Sequence, residues 1–146
     1  MKANFERCLS ETLKHEGGWA DHPSDPGGAT MKGVTIATFA KFKGRSVSKA
    51  ELRAISNDDL YAIYRRDFWN AIRGDDLPIG LDLVAFDAAV NSGPRRGARW
   101  LQAALGANAD GVIGPQTLAL SRAADPRAAI DRACDMRMQF LRRLNT

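Results

Sequence analysis

A glutamate, an aspartate and a threonine follow one another near the start of the chain with the spacing E-x8-D-x4-T, as Glu16, Asp25 and Thr30. They lie in "KHEGGWADHPSDPGGATMKGVT", residues 14–35, a stretch so rich in glycine and proline that it can hardly be regular. An irregular loop of this length costs conformational entropy, and compact domains keep such loops where function needs them. Cleavage of a glycosidic bond needs this inventory. One carboxylic acid with a raised pKa protonates the leaving oxygen, and a second polar group holds a water or supports the charge developing on the sugar. Glu16 falls where a first helix should end, and the partial negative charge of a helix C-terminus disfavours ionisation of a nearby carboxyl. Taken alone, the same residues also fit a solvated helix-end glutamate followed by an Asp-Pro-Gly-Gly turn.

The elements that must position these groups read as helices. Phe5, Leu9 and Leu13 recur every four residues and predict a helix over 3–16 that Gly17 and Gly18 stop. "VTIATFAKFKG" reads as a short helix capped by Thr35 and closed by Gly44. "SKAELRAI" opens on a capping box of Ser48 and Glu51, and "SNDDLYAIYRRDFWNAI" starts from an N-cap at Ser56 or Asn57. "LPIGLDLVAFDAAVNSGP" is a strongly apolar central helix ended by Gly93 and Pro94. Further helices are expected over 95–105, 115–123 and 126–144. No repeat, low-complexity tract or linker interrupts them. The expected fold class is all-α, a single domain of residues 1–146 with one small hairpin near residues 28–36.

Composition narrows the class. A chain of 146 residues with 45% hydrophobic content can bury a real core as one domain. No apolar run approaches the roughly 20 residues of a membrane span, and the first residues are too polar for a secretory signal. The expectation is therefore no stable membrane insertion and a cytoplasmic protein until release. Cys8 and Cys134 are expected to be reduced residues in or near the core, since two distant thiols make neither a disulfide framework nor a metal knuckle. His15 and His22 flank the loop without a third His or Cys, so no metal or other cofactor is expected. Residues 1–90 hold 12 Lys/Arg against 13 Asp/Glu, whereas residues 91–146 hold 9 Arg against 4 Asp. That basic C-terminal part suits an anionic polymer, such as nucleic acid or bacterial cell wall.

Four ordered stretches resemble one known family. "HEGGWADHPSDPGGATMKGVT" resembles the E-G-G…D-P-G-G-x-T-x-x-G-[IV]-T signature of glycoside hydrolase family 108, the N-acetylmuramidases of phage endolysins and secretion-activator proteins. "AELRAISNDDLYAIYRRDFWNAIRGDDLP" is similar to its two-helix segment ending in W-x5-D-x-L-P, and "FDAAVNSGPRRGARWLQAALG" to its D-x-x-V-N-x-G central helix. "DGVIGPQTLAL" resembles the D-G-x-[IF]-G-P-x-T pattern shared with peptidoglycan-binding modules, although it also reads as a plain turn followed by a helix opened by Pro115. The resemblance spans roughly residues 10–143.

The resemblance implies a lysozyme-like helical fold, with a catalytic half over 1–93 and a peptidoglycan-binding-like half over 94–146. It implies cleavage of the β-1,4 bond between N-acetylmuramic acid and N-acetylglucosamine, with Glu16 as general acid and Asp25 and Thr30 beside it. The trio is also similar to the Glu-Asp-Thr set of small phage lysozymes, with one residue fewer between Asp and Thr. Trp19, directly after the E-G-G turn, is a candidate for the cleft wall, and Thr35 is a rival to Thr30 unless it caps the following helix. Asp87 and Asn91 lie four apart on one helix face, where they would support the glycine-rich loop or contact substrate. Trp69 and Trp100 are expected in the core. The implied partner is bacterial peptidoglycan, reached by a monomer that binds no nucleic acid and needs a holin or other route of release to the periplasm and wall. The rivals are a lytic transglycosylase and a non-catalytic wall-binding or DNA-binding protein.

Overall fold

The computed structural model describes residues 4–14, 17–22 and 28–144. Their elements run α1 (Asn4–Leu13), β1 (Trp19–Ala20), β2 (Thr30–Met31), β3 (Val34–Thr35), α2 (Ile36–Lys43), α3 (Lys49–Arg53), α4 (Asn57–Ile63), α5 (Leu81–Ser92), α6 (Pro94–Leu105), α7 (Pro115–Ala123) and α8 (Pro126–Leu144). The fold is mostly α and lysozyme-like, as the sequence implied. The expected hairpin is in fact two of the strands of a three-stranded antiparallel sheet, ordered β1-β2-β3. The chain forms two compact units, one of residues 9–65 and one of residues 4–8 with 66–144.

Local chemistry sets most of the boundaries. The Thr35 hydroxyl accepts from the Thr38 amide to cap α2, and Gly44 closes that helix in the left-handed conformation, with φ 71°. Ser48 and Glu51 form the reciprocal capping box of α3. Ser56, rather than Asn57, caps α4 by accepting from the Asp59 amide. Pro94 and Pro115 occupy the first turns of α6 and α7, where a missing N–H costs nothing. Helix α1 ends at Leu13, short of the expected residue 16.

One expected long helix changes its pitch. After Ile63 the chain continues as a π-helical segment, Tyr64–Trp69. Tyr64 and Trp69 are both fully buried and stand five residues apart. An α-helix would turn them about 140° from one another, whereas i→i+5 bonding brings such a pair to one side. The wider turn lets both large rings leave water.

In the unit of residues 4–8 and 66–144, Phe5, Trp69 and Phe86 pack around one point with ring centroids 5.4–5.9 Å apart, Phe86 edge to face with both other rings and Phe5 tilted against Trp69. The Trp69 indole N–H donates to Asp75 Oδ1 at 2.9 Å, and Gly74 lies against the ring so closely that a Cβ there would meet it at 2.3 Å. These contacts explain the W-x5-D spacing as a packing device, and Trp69 is core as expected. Asp82, fully buried at the start of α5, accepts from the amides of Gly80 and Leu83 and from Asn4 Nδ2. Helix α6 crosses α5 at Gly97, where a Cβ would stand 2.8 Å from the Ala89 amide nitrogen. The alanines at 85, 88, 89 and 98 make that approach possible.

The cysteines part company. Cys8 is buried, and burial together with the neighbouring Asp82 carboxylate pushes its thiol up to about 12. Cys134 is exposed on α8, which corrects the expectation that both lie in or near the core. A helix as long as α8 buries little more than Ala129 and Ala133, so its outer face takes whatever the sequence supplies.

Two outcomes follow from this packing. Gly97→Ala should cost about 1–3 kcal/mol, lowering the melting temperature by roughly 3–10 °C in a thermal denaturation series. Native protein treated with iodoacetamide at neutral pH should take one adduct, on Cys134, with Cys8 reacting only after denaturation; mass mapping that finds native Cys8 alkylated would contradict its burial.

Candidate active site

Glu16 and Asp25 lie outside the described residues, whereas Trp19, Thr30, Thr35, Asp87 and Asn91 lie within them. The register of the sheet pairs Ala20 with Thr30 and Thr30 with Thr35, and in the next row Trp19 with Met31 and Met31 with Val34. Directly paired residues of antiparallel strands point to one side and successive residues to opposite sides. Ala20, Thr30 and Thr35 therefore share one face, while Trp19, Met31 and the buried Val34 share the other. The structure brings Thr30 and Thr35 together and sets Trp19 on the opposite side of the strands.

The two threonines are not equivalent. Thr35 accepts from the Thr38 amide at 3.1 Å and donates to Thr38 Oγ1 at 2.9 Å, so both functions of its hydroxyl are spent at the start of α2. Thr30, half-buried in the central strand, has no hydrogen bond from its hydroxyl to another described residue. Between them the hairpin turns through Lys32 and Gly33, at φ 48° and 84°, the pair of positive angles that a tight two-residue turn demands. A lysine in that region is strained, and a buried group holds it there. The phenol of Tyr64, fully buried, donates to the Lys32 carbonyl, while the Lys32 amide donates to the Gly18 carbonyl at 3.0 Å. Sequence reasoning missed Tyr64. Its signal was a tyrosine on the apolar stripe of Leu60 and Ile63, where a buried hydroxyl must find an acceptor.

Trp19 is half-buried beside the guanidinium of Arg53, which stands 5.5 Å from the ring centroid. Nearby, Lys49 pairs with Asp21 and Lys43 with Asp59, which ties α2, α3 and α4 to the same unit by exposed or half-exposed ion pairs. His22 is exposed, and among the described residues no three His, Cys, Asp or Glu side chains gather as a metal site requires.

The remaining candidates lie on α5, in the other unit. Asp87 forms an ion pair with Arg137 of α8, whose buried Nε has no partner among the described residues. Asn91 is exposed and its amide turns back onto the Asp87 carbonyl at 3.0 Å. Within their own unit the two serve helix α5 and its link to α8.

The D-G-V-I-G-P-Q-T motif is organised from within. The buried Gln102 of α6 donates from Nε2 to Asp110 Oδ1, the Val112 carbonyl and Thr117 Oγ1, and accepts at Oε1 from the Gly111 amide at 2.8 Å. The Val112 amide and then Gln102 hold the Asp110 carboxyl below the usual carboxylate range. Gly111, at φ 84°, lies where a Cβ would meet Arg95 at 2.5 Å. A lone glutamine on the buried stripe of Ala98, Leu101 and Leu105 is the mark by which the sequence could have revealed this hub.

A model of the family described as glycosyl hydrolase 108 matches residues 9–93. The solved structure of SagA from Brucella abortus matches with a TM-score of 0.88 and 43% sequence identity, over 97% of this chain and 82% of that one. No match is found among curated proteins.

Thr35→Ala should lower stability by about 1 kcal/mol through loss of the cap. Urea unfolding checks this, with an unchanged midpoint showing that the capping bonds contribute nothing.

Proposed function

From the premise that this chain belongs to glycosyl hydrolase family 108 and is a glycoside hydrolase, we propose that it is an N-acetylmuramidase that cuts the β-1,4 bond between N-acetylmuramic acid and N-acetylglucosamine in bacterial peptidoglycan. The observation that carries the reading is the series Glu16, Asp25 and Thr30 inside the matched span, with the Thr30 hydroxyl uncommitted among the described residues while that of Thr35 is consumed by helix capping.

In this mechanism the Glu16 carboxylic acid gives its proton to the glycosidic oxygen as the bond to the anomeric carbon breaks. Asp25 takes a proton from a water on the opposite face of the sugar, and that water's oxygen forms the new bond to the anomeric carbon. Thr30 holds the water in line. Both products leave as intact sugars, one with a reducing N-acetylmuramic acid end. A water placed between the carboxyls calls for a separation of about 6.5–9.5 Å and gives inversion; about 5 Å would make Asp25 a nucleophile and give retention. The arginines that dominate residues 91–146 hold the anionic polymer while this chemistry proceeds.

Digestion of purified peptidoglycan, with mass spectrometry of the released fragments, tests the assignment. Wild type should release fragments with reducing muramic acid ends, and Glu16→Gln should be slower by about 10²–10⁴-fold. Thr30→Ala should lower turnover while leaving the unfolding midpoint within about 0.5 kcal/mol of wild type. Anhydromuramyl ends, with Asp25→Asn tolerated, would make the protein a lytic transglycosylase. Equal rates for wild type and Glu16→Gln would remove Glu16 from the chemistry.

A further inference from the structure

Among the described residues, two that are not glycine stand at positive φ, Lys32 at 48° and Arg73 at 52°. L-residues with long side chains reach this region at a cost that glycine and asparagine largely escape. At Arg73 the side chain offsets it, since the guanidinium pairs with Asp76 at 3.1 Å in the turn that sets Gly74 against the Trp69 ring. Lys32 has no such offset. Its amide donates to the Gly18 carbonyl and its own carbonyl accepts from Tyr64, and both bonds belong to the backbone, so glycine or asparagine would make them equally well. Its ammonium has no hydrogen bond or carboxylate partner among the described residues.

Other cations are engaged or fully wet. In the unit of residues 9–65, Lys14 pairs with Glu11, Lys43 with Asp59 and Lys49 with Asp21, while Lys41 is exposed. Arg53 lies on the Trp19 ring. In the other unit Arg96 lies on the Phe140 ring, beside Trp100, which is half-buried rather than in the core as expected. Lys32 is half-buried, so it has lost part of its hydration with no carboxylate to replace it. It follows Thr30 by two residues in the same hairpin. Because its amide and carbonyl are both bound, the root of the side chain is fixed before any ligand arrives.

We propose that Lys32 is a specificity residue of the hydrolytic site, its ammonium binding a carboxylate of the peptidoglycan strand close to the bond that is cut. That carboxylate is the lactyl group of muramic acid where no peptide is attached, or a carboxyl of the stem peptide where one is. A strand of N-acetylglucosamine alone carries neither, so the contact selects strands that contain muramic acid. The strained turn thereby keeps a cation beside the substrate at a place where backbone preference alone would install glycine or asparagine. The ligand class rests on the muramidase reading of the same unit.

The test is digestion of soluble, uncrosslinked peptidoglycan strands by the full chain and by Lys32→Asn, with urea unfolding of both proteins. Lys32→Asn should raise KM roughly three- to fivefold and leave kcat unchanged. Its unfolding midpoint should stay level or rise, because asparagine tolerates the turn. Lys32→Arg, which keeps the charge, should keep the wild-type KM. On strands whose carboxylates have been converted to amides, wild type and Lys32→Asn should share one KM. Peptide-free strands made with an amidase separate the two sources: a difference that persists on them assigns the contact to the lactyl carboxylate, and one that disappears assigns it to the stem peptide. Equal KM values on native strands, a loss in kcat alone, or a midpoint that falls overturns the proposal. If wild type releases no fragments, the muramidase reading fails; sedimentation with insoluble sacculi that weakens on Lys32→Asn then still supports the carboxylate contact, and unchanged sedimentation overturns it as well.

Discussion

The hydroxyl of one buried tyrosine holds the unit of residues 9–65 to its shape. Tyr64 donates to the carbonyl of Lys32 at the apex of a turn whose two central residues both have positive φ. Lysine adopts that conformation reluctantly, and glycine, next in the chain, freely. The register of the strands depends on this turn, and the register in turn decides that Thr30 and Thr35 face the same way. A slip of one residue would send Thr30 to the side of the buried Val34. The π-helical segment that begins at Tyr64 is part of the same arrangement, because it buries this phenol and the Trp69 indole from a single stretch of chain.

Legibility in the sequence followed the range of the interaction. The caps at Thr35, Ser48 and Ser56, the closing Gly44 and the first-turn prolines were readable because each is decided within four residues by hydrogen bonds to the nearest amides. The end of α1 was not, since Gly17 and Gly18 mark a stop beyond Leu13, where both the apolar series and the helix end. The third strand was invisible in a two-residue segment too short to show alternation, and the π turn could not be separated from an α-helix by apolar spacing alone. For the site, Thr35 could be read as a cap, whereas the anchoring of the turn by Tyr64 joins residues 32 apart in sequence. No local pattern marks a contact of that separation.

The recurring motifs divide into two kinds of work. Trp69 and Asp75 are tied by an indole hydrogen bond above Gly74, and Asp110, Gly111 and Thr117 converge on Gln102. In both places a polar side chain satisfies buried or turn-forming groups that would otherwise lose their water partners. A motif can therefore be specific because packing is unforgiving, with no ligand involved.

Thr35 is both the last residue of β3 and the cap of α2, with no loop between strand and helix. Fraying of one must therefore release the other. Sheet and helix make a single cooperative opening unit, and Thr30, on the middle strand, loses its place only when that whole unit opens. The chain thereby couples the lifetime of one hydroxyl's orientation to the melting of a short helix.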